Sequence, residues 1–168
     1  MRRGVRRAPR GGLLVMLLVS ALAFGAGQAS ASVIGNTEGC SPGYWKNHPG
    51  SWQEMTTTQS IASLYGAAGT PYDNLTLLQG LSLRGGPGVS GAQQILLRAA
   101  IAAALNAAYD SPDGEHLKFP WRREGTGFDG EPPLIPTVYD ALRSGNRDTI
   151  LKLASWLDAD NNLGCPLS

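Results

Sequence analysis

Residues 92–109 carry the strongest helical pattern of apolar positions in the chain. The segment reads AQQILLRAAIAAALNAAY, follows Ser90-x-x-Gln93 with capping-box spacing, and precedes the turn residues Asp110-Ser111-Pro112. Its few polar residues are Gln93, Gln94, Arg98 and Asn106. Alanine has the highest helix propensity, and a helix that is apolar on nearly every side is buried. The pattern predicts a central helix around which the others pack.

Two shorter helices are predicted before this segment. The spacing of Thr56-x-x-Gln59 is that of a capping box and favours a helix near 57–65. Asp73 or Asn74 can cap a second short helix that carries four leucines.

Two more helices are predicted after it, near 137–144 and 147–160. Asn146 can cap the last helix, and Gly164 is placed to end it. Strand patterns are nearly absent. The sequence therefore predicts an all-α fold, a small bundle of four or five helices around a central Ala-rich helix.

Segments rich in glycine and proline interrupt the helical patterns. Residues 84–91 read RGGPGVSG, which is typical of a flexible connection. Residues 113–136 have no period, and a loop of that length in a compact domain is usually functional or mobile. Residues 39–52 read GCSPGYWKNHPGSW, where two prolines and their glycines predict an ordered loop without a regular element.

The first residues have the composition of a secretory signal peptide. Five arginines lie within the first ten residues, an apolar run covers 13–24, and Ala29-Ser30-Ala31 supplies a small-residue cleavage site. The apolar run is too short for a bilayer span of roughly 20 residues. We predict a signal peptide over 1–31, a short flexible lead over 32–38 and a single helical domain over 39–168. The predicted location is secreted or cell-surface, with no transmembrane segment after residue 31.

Removal of a signal peptide would reverse the sign of the formal charge. Five of the 14 basic residues precede residue 31 and all 13 acidic residues follow it, so the +1 of the whole chain becomes −4 for residues 32–168. A mildly acidic domain without a run of lysine or arginine lacks the electrostatic footprint of nucleic-acid binding. The sequence therefore predicts no nucleic-acid partner.

Cys40 and Cys165 are the two cysteines of the chain, and both follow the predicted cleavage site. In an exported protein they allow one intramolecular disulfide, with two free or intermolecular thiols as the alternative. Closing a loop of about 125 residues would stabilise the fold by up to roughly 5 kcal/mol.

The segments around these cysteines resemble a known family. Residues 40–48 read CSPGYWKNH and residues 158–167 read DADNNLGCPL. Their pairing around an alanine-rich helix resembles uncharacterised secreted or cell-surface bacterial proteins that open with C-[ST]-P-G-[YF]-W-K-N-H and end with N-N-x-G-C-P-L. The likeness spans most of residues 32–168, only its ends are specific, and it brings no reaction, cofactor or ligand. It implies an extracellular location and that the two cysteine motifs belong together.

A bond between Cys40 and Cys165 would fasten residues 39–52, which we call the opening motif, against the end of the last helix. We then expect Trp45, Trp52 and Trp156 to share one aromatic cluster, because aromatic side chains bury large areas.

Aromatic and basic side chains supply the candidate binding surface. The set comprises Tyr44, Trp45, Lys46, Asn47 and His48, with Trp121 and Arg122 beside Phe119, Arg123 and Phe128 in the long loop. Flat apolar faces with polar tips stack on sugar rings or anchor protein partners, although either group can instead belong to the core. The sequence thus predicts a secreted interaction or structural module of the bacterial envelope or extracellular space, with this aromatic and basic surface as the candidate site. It does not identify the partner, for which a glycan and an envelope protein are the candidates.

The alternative is a small secreted hydrolase that uses His48 or His116 with nearby carboxylates. The chain has no G-x-S-x-G motif, and a cysteine in a disulfide cannot act as a nucleophile. It also lacks the H-x-x-x-H and C-x-x-C spacings of zinc sites. No cofactor is predicted.

Asp158, Asp160 and Asn162 alternate oxygen-bearing side chains, as calcium loops do. Leu163 stands where an EF-hand loop requires glycine. Such residues at a helix end more often cap it, so we expect no tight calcium site.

Overall fold

The structure is a computed structural model that describes residues 39–109, 119–126 and 130–167. The chain divides into two units, Met1–Ser32 and Val33–Ser168, and every described residue belongs to the second. The predicted signal peptide over 1–31 and the lead over 32–38 lie outside the described residues. His116 and Phe128 also lie outside them.

The fold is all-α throughout the described ranges. The α-helices are α1 (Pro42–Asn47), α2 (Ile61–Tyr65), α3 (Leu77–Gly80), α4 (Gly88–Ala108), α5 (Leu134–Arg143) and α6 (Arg147–Asn161), with a 3-10 helix at Pro49–Ser51. Two isolated bridges, Gly39 with Gly164 and Ser60 with Thr76, are the extended pairings of this part of the chain. The predicted helical bundle around an alanine-rich helix is confirmed.

Helix α4 is the centre of the bundle. It packs most extensively against α6 and also contacts α1, α3 and α5. Its alanines from Ala99 to Ala104 are at most 3% exposed, so neighbouring helices approach closely. Within the described ranges α4 is the one helix long and apolar enough to cross a bilayer, and 61% of its most apolar stretch is buried inside the protein. That burial is expected of a core helix.

The opening segment is helical, so the prediction of a loop without a regular element is wrong there. The Ser41 side chain caps α1 by accepting from the backbone N–H of Tyr44, 3.2 Å away. Pro42 occupies the first helical position. A backbone N–H at that position would have no partner inside the helix, so its absence in proline costs no hydrogen bond, and the fixed φ of proline suits the helix. Pro49 starts the 3-10 helix in the same way.

Helices α2 and α3 start later than their capping patterns predicted. Ser60 caps α2 at Ile61, so the helix does not begin near 57. Thr76 caps α3 in a full capping box with Gln79. The Asp73 carboxylate instead accepts from backbone N–H groups in the preceding turn, which removes it as a helix cap.

Helix α4 begins inside the segment predicted to be a flexible connection. It starts at Gly88 behind Pro87 rather than at 92. Gly91, in its first turn, lies directly against the backbone of Gly86, and a Cβ there would overlap the Gly86 carbonyl. The glycines at 84–91 therefore allow a close backbone contact that holds the connection in place.

Helix α5 starts three residues before its predicted position, whereas α6 occupies almost the predicted range. The backbone N–H groups of Leu134 and Ile135 donate to the carbonyls of Arg122 and Arg123, at 2.8 and 3.2 Å. These bonds satisfy N-terminal donors that have no partner inside the helix. Asn146 caps α6 with its side chain, as predicted.

Candidate functional site

A disulfide joins the two cysteine motifs. Cys40 and Cys165 are bonded across 125 positions, with their Cα atoms 4.4 Å apart. The predicted intramolecular bond is confirmed, and the alternative of free thiols is excluded. Because disulfides persist in oxidising compartments, the bond indicates an extracellular or similarly oxidising environment.

Backbone and hydroxyl contacts reinforce this junction. The Gly39 N–H donates to the Gly164 carbonyl at 3.0 Å, and a Cβ on Gly39 would overlap the carbonyl of Asp160 on α6. The Tyr44 hydroxyl donates to the carbonyl of Leu167 at 3.0 Å. The opening motif is therefore fastened to the end of the chain at three places, one of them covalent.

Asn106 on α4 holds the same motif from inside. Its side chain is fully buried, and its Oδ1 accepts from the Cys40 N–H and the Trp45 Nε1–H, each at 2.9 Å. Its Nδ2 donates to the Cys40 carbonyl at 3.0 Å and to Asn161 Oδ1 at 2.8 Å. Asn161 donates in turn to the Ala99 carbonyl at 2.9 Å. The Asn106 amide thus uses all four of its hydrogen-bonding positions, which fixes α1 and α6 on α4.

Trp45 belongs to the core, and part of the predicted aromatic cluster forms around it. Trp45 is fully buried, Trp52 Nε1–H donates to its carbonyl at 2.9 Å, and Tyr44 meets it edge-on at 5.3 Å. Trp156 instead lies edge-on to Trp121 at 6.5 Å. The expectation that Trp156 shares the Trp45 cluster is therefore wrong, because α6 places it beside the Trp121 segment.

Trp121 is also a core residue. Its indole N–H donates to Asp160 Oδ2 at 2.7 Å, and its ring is fully buried. Burial raises the pKa of the Asp160 carboxyl, and this hydrogen bond partly opposes the rise. Arg122 is half-buried, and the neighbouring Arg123 forms an ion pair with Glu54. The structure does not bring Trp121 and Arg122 together with the opening motif as one aromatic surface.

Lys46, Asn47 and His48 face solvent at the end of α1. The His48 ring stacks on Tyr44, with centroids 4.2 Å apart, and its Nδ1 lies 2.9 Å from the Tyr44 carbonyl oxygen. Within the described ranges no carboxylate is hydrogen-bonded to His48. The solvent-facing part of the predicted binding set is therefore the Tyr44–His48 stack together with Lys46 and Asn47.

A surface cleft of about 520 Å³ adjoins α1. One wall is the α1 segment from Ser41 to Lys46, and another is the α3–α4 connection at 81–84. Arg98 of α4 and two residues near the end of α6, Asp158 and Asn162, complete the lining. We call this feature the α1 cleft.

Three cations and one carboxylate line the α1 cleft. Lys46 and Arg84 are exposed, whereas Arg98 is half-buried and donates through Nη1 to the Leu83 carbonyl at 3.5 Å. None of the three forms an ion pair within the part of the chain that the structure describes. The α1 cleft therefore has a formal charge of +2, although residues 32–168 together carry −4.

The sequence indicated Lys46, Asp158 and Asn162 as candidates but missed Arg84 and Arg98. These two come from different segments, and only the fold brings them beside α1. Arg98 stands out in the sequence as the one charged residue of the alanine-rich segment. Because a charge on a buried helix must reach the surface or a partner, this pattern could have marked Arg98 as a candidate.

The three residues of the candidate calcium set point to different surroundings. Asp158 and Asn162 line the α1 cleft, and Asn162 Nδ2 donates to the Asp158 backbone carbonyl at 2.6 Å. Asp160 instead accepts from Trp121. Across the described ranges, no group of three or more histidine, cysteine or acidic residues is placed to hold a metal ion.

Comparison with known proteins gives this chain no relative: no family model, no curated protein and no solved structure matches it.

Proposed function

We propose that this chain is a secreted or cell-surface interaction module of the bacterial envelope or extracellular space, and that the α1 cleft is its binding site. The observation that carries the proposal is a set of three cations around one cleft, Lys46, Arg84 and Arg98, none of which is in an ion pair with another described residue. The resemblance of the two cysteine motifs to secreted and cell-surface bacterial proteins supports the location. The disulfide is consistent with it.

The attachments of α1 support a binding role for its outer side. A one-and-a-half-turn helix would not be stable alone, but Asn106 and the disulfide hold α1 against α4 and α6. A wall fixed before the ligand arrives lowers the entropy lost on binding. The buried side of the motif is structural, whereas Lys46 is presented to the α1 cleft.

The hydrolase alternative gains no support from the described geometry. A general base needs a reacting group within hydrogen-bond reach and a group that orients it. His48 stacks on Tyr44 and does not line the α1 cleft. His116 lies outside the described residues.

The proposed location has a test of its own. An exported protein cleaved at the predicted site begins at Ser32, and mass spectrometry of the protein recovered outside the cell measures that mass. Recovery of the intact arginine-rich start would count against export by this route.

The proposed site is tested by filling it without changing its charge. Gly43 lines the α1 cleft, and a Cβ there meets only Ser41 Oγ, at 3.7 Å. We expect Gly43→Trp to abolish binding of residues 32–168 to glycan arrays or isolated envelope fractions. Gly50→Trp is the matched control, because Gly50 is exposed and a Cβ there meets nothing within 4 Å.

Equal binding by the Gly43→Trp and Gly50→Trp proteins would remove the α1 cleft as the site. Absence of binding by the parent protein to every fraction and array would remove the interaction role itself.

A further inference from the structure

We infer that the α1 cleft binds an acidic saccharide, through a carboxylate or phosphate group and the hydroxyl groups of the adjoining sugar ring. This inference rests on the proposed function and names the ligand class of the same site. The charge of the lining, its hydrogen-bonding groups and a second depression beside it support this ligand class.

The charge of the α1 cleft selects an anion. Three of the nine basic residues in 32–168 line it, against one of the 13 acidic residues. A zwitterionic ligand would balance one cation with one carboxylate, whereas this site has two cations in excess. Arg98 is the most enclosed of the three, and its guanidinium keeps N–H donors beyond the one directed at Leu83. These donors suit the oxygens of a carboxylate or phosphate.

Three of the remaining polar groups of the lining offer hydrogen-bond acceptors. Asp158 contributes a carboxylate, and Asn162 keeps its Oδ1 because its Nδ2 donates to a backbone carbonyl. Ser82 Oγ already donates to the Leu78 carbonyl, so its hydroxyl can offer a ligand only its lone pairs as acceptors. A fully deprotonated anion such as sulfate has no donors for these groups, whereas sugar hydroxyls do.

The number of polar and charged side chains in the lining disfavours a fatty anion. Seven of the eleven lining residues have polar or charged side chains. Pockets for apolar ligands are lined mostly by hydrophobic and aromatic side chains. A hydroxyl-rich scaffold therefore fits the α1 cleft better than an alkyl chain.

A second depression gives room for more than one sugar unit. It has a volume of about 270 Å³, and Arg98 and Asp158 line both it and the α1 cleft. Its other walls include Ile95 and Leu151, which are half-buried apolar side chains. The apolar face of a neighbouring ring can pack there while its acidic group remains near Arg98.

The test uses residues 32–168 and defined probes in calorimetric titrations. The probes are a galacturonate trimer, glucuronate, glucose 1-phosphate, neutral maltotriose and an oligoglutamate peptide. We expect the acidic sugars to bind, with affinity falling as salt rises, and maltotriose not to bind. Tighter binding of the trimer than of glucuronate identifies a polymer segment as occupant, and equal affinities identify a single acidic unit; both support the inference.

A matched pair of double variants locates the charge effect. Lys46→Gln with Arg84→Gln removes two exposed cations of the α1 cleft, and we expect about a tenfold or larger loss of affinity for the trimer. Arg143→Gln with Arg147→Gln removes the same charge from exposed positions that do not line the cleft. This control is expected to stay within about twofold of the parent, since distant exposed charges are screened.

Four results would overturn the inference. If oligoglutamate binds as tightly as the trimer, the cleft recognises negative charge and not the sugar. If the two double variants lose equal affinity for the trimer, the charge effect is non-specific. In the third case, maltotriose or a protein is the ligand that binds, with binding blocked by Gly43→Trp and unchanged in the Lys46/Arg84 double variant. That result would keep the α1 cleft as the binding site and reject an acidic saccharide as its ligand. If no probe and no envelope fraction binds, both proposals fall.

Discussion

At the scale of single residues, Asn106 decides how the opening motif is attached. An asparagine amide offers one acceptor and one donor group, and here both are used twice, by groups of Cys40, Trp45 and Asn161. A buried polar group stabilises only when it is satisfied, and its loss leaves every partner unpaired.

Replacement of Asn106 by alanine therefore destabilises the fold strongly. The backbone of Cys40, the Trp45 indole N–H and the Asn161 amide would lose buried partners, and each such loss costs about 1–3 kcal/mol. We expect the free energy of unfolding, measured by urea denaturation, to fall by at least about 3 kcal/mol. Asn47→Ala, at an exposed position of α1, is the control. A loss below about 1 kcal/mol for Asn106→Ala would contradict the role given to this amide.

The sequence shows Asn106 only as a polar interruption of an apolar helix. Its partners lie 66, 61 and 55 positions away, at Cys40, Trp45 and Asn161. Local pattern carries no information on such distant pairings, so the residue could be noticed but its role could not be predicted.

At the scale of elements, the long helices were predictable, whereas the short helices α2 and α3 were predicted with starts that were too early and α1 was missed. Helices α4 and α6 follow from alanine content, periodicity and the Asn146 cap, all of which are local. Helix α1 was missed because Pro42 and Gly43 stop a helix in its interior, yet proline is favoured at the first position. Its existence depends on the disulfide and Asn106, which are tertiary contacts. The α1 cleft escaped prediction for the same reason, since four separate segments line it.

At the start of α4, helix propensity and packing predict opposite effects of one substitution on stability. Alanine in place of a helical glycine is favoured by up to about 1 kcal/mol. Gly91→Ala should nevertheless destabilise the protein, by about 1–3 kcal/mol, because its Cβ would overlap the Gly86 carbonyl. Gly43→Ala is the helical control, since its Cβ meets only Ser41 Oγ at 3.7 Å. Thermal melting that ranks Gly91→Ala at or above the parent would show that residues 84–87 are not held against the first turn of α4.

At the scale of the whole molecule, the disulfide joins segments near the two limits of residues 39–167. Closing so long a loop restricts the unfolded chain, while the helices keep their own packing on α4. Packing of the helices on α4 thus makes one contribution to stability, and the disulfide together with Asn106 makes a second, distinct one.

Replacing both cysteines by serine should separate these contributions. We expect the free energy of unfolding to fall by a few kcal/mol, about the size of the loop-closure effect, with helix content by circular dichroism largely retained. Trp45 fluorescence should shift towards that of an exposed indole, because α1 loses its covalent anchor. An unchanged melting temperature would contradict this account, and non-reducing mass spectrometry of the parent verifies the starting bond.

The central claim is that the inner side of the opening motif is core and only its outer side is free to bind. Hydrogen exchange of the four indole N–H groups, followed by NMR, tests it most directly, because a buried, hydrogen-bonded N–H exchanges only when the structure opens. Trp45, fully buried and bonded to Asn106, should exchange as slowly as the most protected core amides, whereas Trp156, 49% exposed, should exchange rapidly. A Trp45 indole that exchanges as fast as that of Trp156 would contradict the claim.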